Sequence, residues 1–116
     1  MIHIGQTASS LAKLLPLMKP GDIVTHIFAP PPNAVLGDDG RLLPEVLAAR
    51  RRGVVFDVGN GVGDHIRWDI VRQVTDTGFW PDTISTDGNV NGGTTGVVDF
   101  PNCMSRLLGF GMSVST

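Results

Sequence analysis

Asp22-Ile23-Val24-Thr25-His26 is a β-branched run that ends in a histidine. Two other stretches share its design. Asp82-Thr83-Ile84-Ser85-Thr86-Asp87 ends in an aspartate, and Met1-Ile2-His3-Ile4-Gly5 carries a histidine just before its glycine. β-Branched residues favour strands. Each run gives way to Gly, Pro or Asn and then to a helical stretch, the order of a parallel α/β fold. In such folds the C-terminal ends of the strands converge on one face, and that face holds the site. Two imidazoles and a carboxylate delivered there, from His3, His26 and Asp87, make a metal site.

Working outward, the chain reads as four βα units. The first is a strand over 1–4, a short loop and a helix near 9–18, capped by Ser9 or Ser10. Leu11, Leu14, Leu15 and Met18 form its apolar stripe, and Pro16 predicts a kink or an early end. The second is a strand over 22–28, a long loop with Pro30-Pro31-Pro32-Asn33, and a helix from Pro44 to Arg52. Arg50-Arg51-Arg52 falls at that helix's C-terminus, where cations complement the dipole. The third is a strand over 53–58, the loop Gly59-Asn60-Gly61-Val62-Gly63, and a helix near 66–77 stopped by Gly78. The fourth is a strand over 82–86, a loop from 88 to 96 and a helix near 101–109.

An eight-unit barrel has about 250 residues, roughly 30 per unit. The strand starts near 1, 22, 53 and 82 fit that spacing, so the 116 residues amount to half a barrel in a single segment, 1–116. None of the four strands shows the strict alternation of a sheet facing solvent, which predicts cover on both sides. Half a barrel has two raw strand edges. A missing N-terminal half or a second copy is expected to close them.

Apolar content of 41% and charged content of 17% belong to an ordinary globular chain. A net charge of −2 argues against nucleic acid as a partner. Cys103 is the sole cysteine, so neither a disulfide framework nor a thiolate metal cluster is expected, which suits a cytoplasmic location. Apolar runs are too short to span a bilayer, and no signal-peptide pattern opens the chain.

Taken together, Ile2-His3-Ile4-Gly5, Gly21 to Phe28, Gly53 to Gly59, Pro81 to Asp87, and Val97-Val98-Asp99-Phe100-Pro101 with Met104-Ser105 resemble the second half of an amidohydrolase-superfamily enzyme. The nearest likeness is to the dihydroorotase-like metal-dependent deacetylases. The resemblance covers essentially the whole chain. It implies a partial TIM (β/α)8 barrel, strands five to eight. It also implies a centre holding Zn²⁺ or another divalent metal, binuclear in the complete enzyme, with His3, His26 and Asp87 as ligands. Asp87 would further act as catalytic proton shuttle, in the hydrolysis of a small acylated amide, acyl ester or cyclic amide by metal-activated water. The complete enzyme is expected to be a homo-oligomer. The family's His-x-His pair and bridging lysine are not found in this segment. Asn60 stands where related enzymes often carry a histidine near the substrate, and Asn60 or His65 is the candidate for that substrate role.

The residues alone admit plainer readings. His3 can be a strand histidine satisfied by backbone, His26 a buried core histidine, and Asp87 a loop cap. Asp57 reads as a structural carboxylate bonding loop N–H groups, with a substrate role as the minority view. His65 reads first as an exposed helix start, Trp68, Phe79 and Trp80 as packing residues, and Cys103 as a helix residue rather than a nucleophile. Two rival functions remain. Asp57 to Gly63 resembles the glycine loop of S-adenosylmethionine-dependent methyltransferases, with Asp87 ending the next strand, although a glycine loop alone is weak evidence. The other rival is a half-barrel remnant without catalysis.

Overall fold

The computed structural model describes residues 1–5, 7–32, 34–61, 65–88 and 99–114. Val62, Gly63, the loop residues 89–96 and the Val97-Val98 pair therefore lie outside the described residues.

Three strands, β1 (Ile2–His3), β2 (Ile23–Thr25) and β3 (Val55–Asp57), form a parallel sheet in the order β1-β2-β3. The register sets Ile2 against Val24, His3 against Thr25, Val24 against Phe56, and Thr25 against Asp57. Parallel neighbours require a crossover. Helix α1 (Leu11–Leu14), tightened by Pro16 into a 3₁₀ turn over Leu15–Leu17, supplies the first, and α2 (Pro44–Arg52) the second. Helix α3 (Trp68–Asp76) leads from β3 to the fourth expected strand, and α4 (Phe100–Gly109) follows it.

The fourth strand is not a full ladder. Among the described residues it pairs as one parallel bridge, Asp57 to Thr83. The segment is nonetheless tied to the end of β3: Val58 N–H donates to the Thr83 carbonyl at 3.1 Å, and Asn60 N–H to that of Ser85 at 2.8 Å. The expected strand over 22–28 is also shorter, because His26 turns to φ +68° and leaves the extended region. Pro44 opens α2 as the sequence predicts, while Gly53, expected to begin the third strand, closes the helix in the left-handed region at φ +96° and β3 starts at Val55. Ser10 occupies the N-cap of α1 but makes no side-chain cap bond, so the capping expectation fails there.

Strand side chains alternate between faces. Ile4, Val24 and Phe56 are fully buried in the main core with Leu11, Leu15, Val46, Val71 and Val74 from the helices. The other face carries His3, Ile23, Thr25 and Asp57, continued by Thr83, Ser85 and Asp87. The sequence predicts cover on both sides; one face packs on helices, and the other is largely polar and lines a cavity. Two of the three arginines take up partners. Arg50 lies 3.7 Å from the centre of the Phe79 ring and donates to the Trp80 carbonyl and to Asp82, while Arg52 donates to the Leu15 carbonyl. Among the described residues no helix is long and apolar enough to cross a membrane.

Asp57 stitches the polar face together. Its carboxylate accepts from Thr25 Oγ1 at 2.7 Å, Thr83 Oγ1 at 2.8 Å and Ser85 Oγ at 2.6 Å. The structural role expected of it holds, but its observed partners are hydroxyls on neighbouring strands rather than loop N–H groups. Hydrogen bonds to a charged group contribute about 1.5–3 kcal/mol each, and orphaning buried partners adds cost. Asp57→Ala is therefore expected to lower unfolding free energy by roughly 3 kcal/mol or more, measured by urea denaturation, with Asp57→Asn milder. A loss under about 1 kcal/mol for the alanine variant would show that the network does not hold the fourth segment.

Candidate metal centre

All three histidines of the chain meet at the C-terminal ends of the strands. The ring centres of His3 and His26 are 4.0 Å apart, those of His26 and His65 4.1 Å, and those of His3 and His65 5.0 Å. One ring nitrogen from each lies within 4.8 Å of the other two. They adjoin a cavity of about 350 Å³ whose lining includes His3, Thr25, His26, Asp57, Ser85 and Asp87.

His26 reaches this cavity through its backbone. In an unbroken strand, Thr25 and His26 would point to opposite faces. Both line the cavity, because His26 adopts φ +68°. A non-glycine residue held there costs roughly 1–3 kcal/mol, a strain found most often at functional sites. Asp87 is turned the same way, at φ +50°. The side chain of His26 is then fixed by one bond, 2.8 Å from Nδ1 to the Gly59 carbonyl. A carbonyl only accepts, so Nδ1 carries the proton and Nε2 carries the lone pair. His26 is 1% exposed, and its Nε2 has no hydrogen-bond partner among the described residues. Burial pushes its pKa below the usual histidine value, against the opposing pull of the Gly59 bond, and His3 beside it pushes the same way as burial. The group is thus a neutral imidazole with an orphaned lone pair, the form that binds metals.

His65 stands across from it, with Nδ1 3.1 Å from Asp87 Oδ2. Two glycines make room for this packing. A side chain at Gly59, which sits at φ +55°, would run into Thr25 and His26, and one at Gly61 would run into His65 and Asp87.

The structure thus brings His3, His26 and Asp87 to one cavity, as expected, and adds His65 to the histidine cluster. The reading of His65 as an exposed helix start is corrected: it is half-buried, with 26% of its side chain exposed, and precedes α3. The signal available in the sequence was the pair of glycines four and six residues before it. Asp87 lies beside the cluster but outside the set of mutually close donor atoms. Asn60 is buried in the wall, its N–H on the Ser85 carbonyl. Phe79 is buried, as a packing residue should be, while Trp68 is 39% exposed and stacks on Phe110. Cys103 is buried on α4, and burial raises its thiol pKa, which disfavours a nucleophile's thiolate.

No family model matches the chain. It is 31% identical over 109 residues to a deacetylase of Enterococcus faecalis, an alignment covering 92% of this chain and 29% of that protein. It is 28% identical over 112 residues to a deacetylase of Brucella anthropi, covering 97% of this chain and 28% of that protein. The fold matches an adenine deaminase with a TM-score of 0.88 at 30% identity, over 98% of this chain and 31% of that one. It matches a dihydroorotase with a TM-score of 0.81 at 28% identity, over 98% of this chain and 29% of that one. The chain therefore spans less than a third of the length of each of these proteins. Curated relatives and structural neighbours together point to the amidohydrolase superfamily.

Proposed function

We propose that this chain is part of a metal-dependent hydrolase of non-peptide carbon–nitrogen bonds, of the deacetylase type. It would form strands five to eight of a (β/α)8 barrel. The remaining wall would come from the rest of a longer chain or from a second copy. The observation that carries this reading is the orphaned Nε2 of His26, buried beside the rings of His3 and His65. A buried polar atom without a partner is costly, and a cation is the partner that a neutral imidazole most readily takes in such company. Parallel register, a polar inner face and relatives named deacetylases support the same reading.

The donor set suits Zn²⁺ or a similar divalent ion, held by His3 and His26, and a second ion would draw on ligands outside this segment. When bound, such an ion supplies a Lewis acid that polarises an acyl carbonyl and acidifies water. The chain's own residues do the rest. The Gly59 carbonyl keeps the His26 tautomer that leaves Nε2 facing its neighbours. Asp57 is committed to three hydroxyls and holds the wall. Asp87 is the better carboxylate for proton transfer, taking a proton from water and returning it to the leaving amine or alcohol. The glycines of the 59–61 turn make room for His26, His65 and Asp87.

The complete barrel, whether one longer chain or a pair of copies, tests the reading. Chelation should abolish release of acetate from small N-acetylated or O-acetylated compounds, and Zn²⁺ should restore it. A metal-loaded protein inert towards acyl amides, acyl esters and cyclic amides alike would count against it. In the same protein at saturating metal, Asp87→Asn should cut kcat by about 10²–10⁴-fold while bound metal stays near the parent level. Near-normal kcat would make Asp87 a loop cap. Gly59→Ala should act earlier, lowering bound metal per chain by displacing His26; unchanged metal content would show that the close approach is dispensable.

A further inference from the structure

We infer that Arg50 is a positioning residue for Asp87: from the last turn of α2 it fixes the register of the fourth segment against β3, and so decides where the Asp87 carboxylate falls. This rests on reading Asp87 as the carboxylate that moves the proton, and goes beyond it in naming what places that group.

Three observations carry it. First, ladder pairing is too sparse to set the register. Among the described residues the segment makes one parallel bridge, Asp57 to Thr83. A slip by one residue turns every side chain to the other face. Asp57 opposes that slip from inside the cavity, because it would exchange the hydroxyls of Thr83 and Ser85 for Ile84, which packs against the core. Second, Asp57 is a weaker guard against a slip by two. Thr83 would then take the place of Ser85 and still reach the carboxylate, while Asp87 would travel about 7 Å, at roughly 3.3 Å per residue. Third, Arg50 grips the segment from outside, at its entry. Its Nη2 donates to the Trp80 carbonyl at 2.6 Å and to Asp82 Oδ2 at 3.1 Å, and its guanidinium carbon lies 3.7 Å from the centre of the Phe79 ring. Asp82 Oδ2 also accepts the Phe56 N–H at 2.8 Å, so helix, segment and β3 backbone meet at one oxygen. A two-residue slip breaks all of these contacts at once. Phe79, Trp80 and Asp82 do not line the cavity, so the grip acts on Asp87 through the backbone of the segment.

The test is made in the complete barrel, at saturating metal and well below its unfolding temperature. Arg50→Met keeps an apolar stem and removes the donors. It should cut kcat by about 10²-fold, the cost of a small misplacement of a reacting group. Arg50→Lys, whose ammonium can still bond Trp80 and Asp82, should recover part of that loss. In an Asp87→Asn background Arg50→Met should cost nothing further, because residues that act through one another are not additive. Hydrogen exchange gives a readout apart from activity: the N–H groups of Val58 and Asn60, held by the Thr83 and Ser85 carbonyls, should lose about ten-fold in protection in Arg50→Met. Should that variant fail to fold, Asp82→Asn carries the same comparisons, since it removes the charge facing Arg50 and leaves an acceptor for the Phe56 N–H. Near-normal kcat in Arg50→Met, a loss that simply adds to that of Asp87→Asn, or unchanged protection at Val58 and Asn60 would each overturn the inference. An impaired Asp87→Asn beside an active Arg50→Met removes this inference alone, whereas near-normal kcat in Asp87→Asn removes the proton-transfer reading and this inference with it.

Discussion

The site depends on one backbone conformation. His26 leaves the extended region at the moment β2 ends, and only that turn lets two consecutive residues, Thr25 and His26, face the same cavity. The strain of a left-handed histidine must be offset nearby. The bond from Nδ1 to the Gly59 carbonyl offsets part of it, and a hydrogen bond of this kind contributes about 1 kcal/mol net. That bond exists because Gly59 has no side chain to keep the ring away. Strand end, histidine and glycine loop are therefore one unit, drawn from two neighbouring βα connections.

Asp57 does for the wall what Gly59 does for the ring. It lies at the end of the central contact between β3 and the segment carrying Asp87, and its three hydroxyl partners come from both sides of it. The fourth segment makes only one bridge, so side-chain bonds and the N–H groups of Val58 and Asn60 hold it where ladder pairing is sparse. Asp82 adds a second tie at the other end, accepting from the Phe56 N–H and from Arg50. The placement of Asp87 thus follows from a polar network more than from a strand.

Much of this was legible from residue order. Helix α2 was legible at both ends, because Pro44 and the terminal arginines are local signals with local causes. The convergence of His3, His26 and Asp87 was legible because parallel strand ends share a face whatever their sequence. Two things were hidden. The polar inner face was missed because strands of two or three residues are too short for alternation to stand out from a β-branched background. His65 was named only as a candidate for a substrate role; its place among the three imidazoles was hidden because Arg67 and Trp68 suggest an exposed helix start and because its position depends on a close approach at Gly61 that no periodicity reports.

The Asp57 network has a consequence for what the cavity can greet. A hydroxyl owns one proton. Thr25, Thr83 and Ser85 each direct theirs at the same carboxylate, so what they turn towards a guest is lone pairs. The floor beneath the histidines is in that sense an electron-rich surface with its donors already engaged. An amide N–H or an ammonium would find acceptors there, and the Asp57 carboxylate behind the three hydroxyls adds its own negative charge to the same preference.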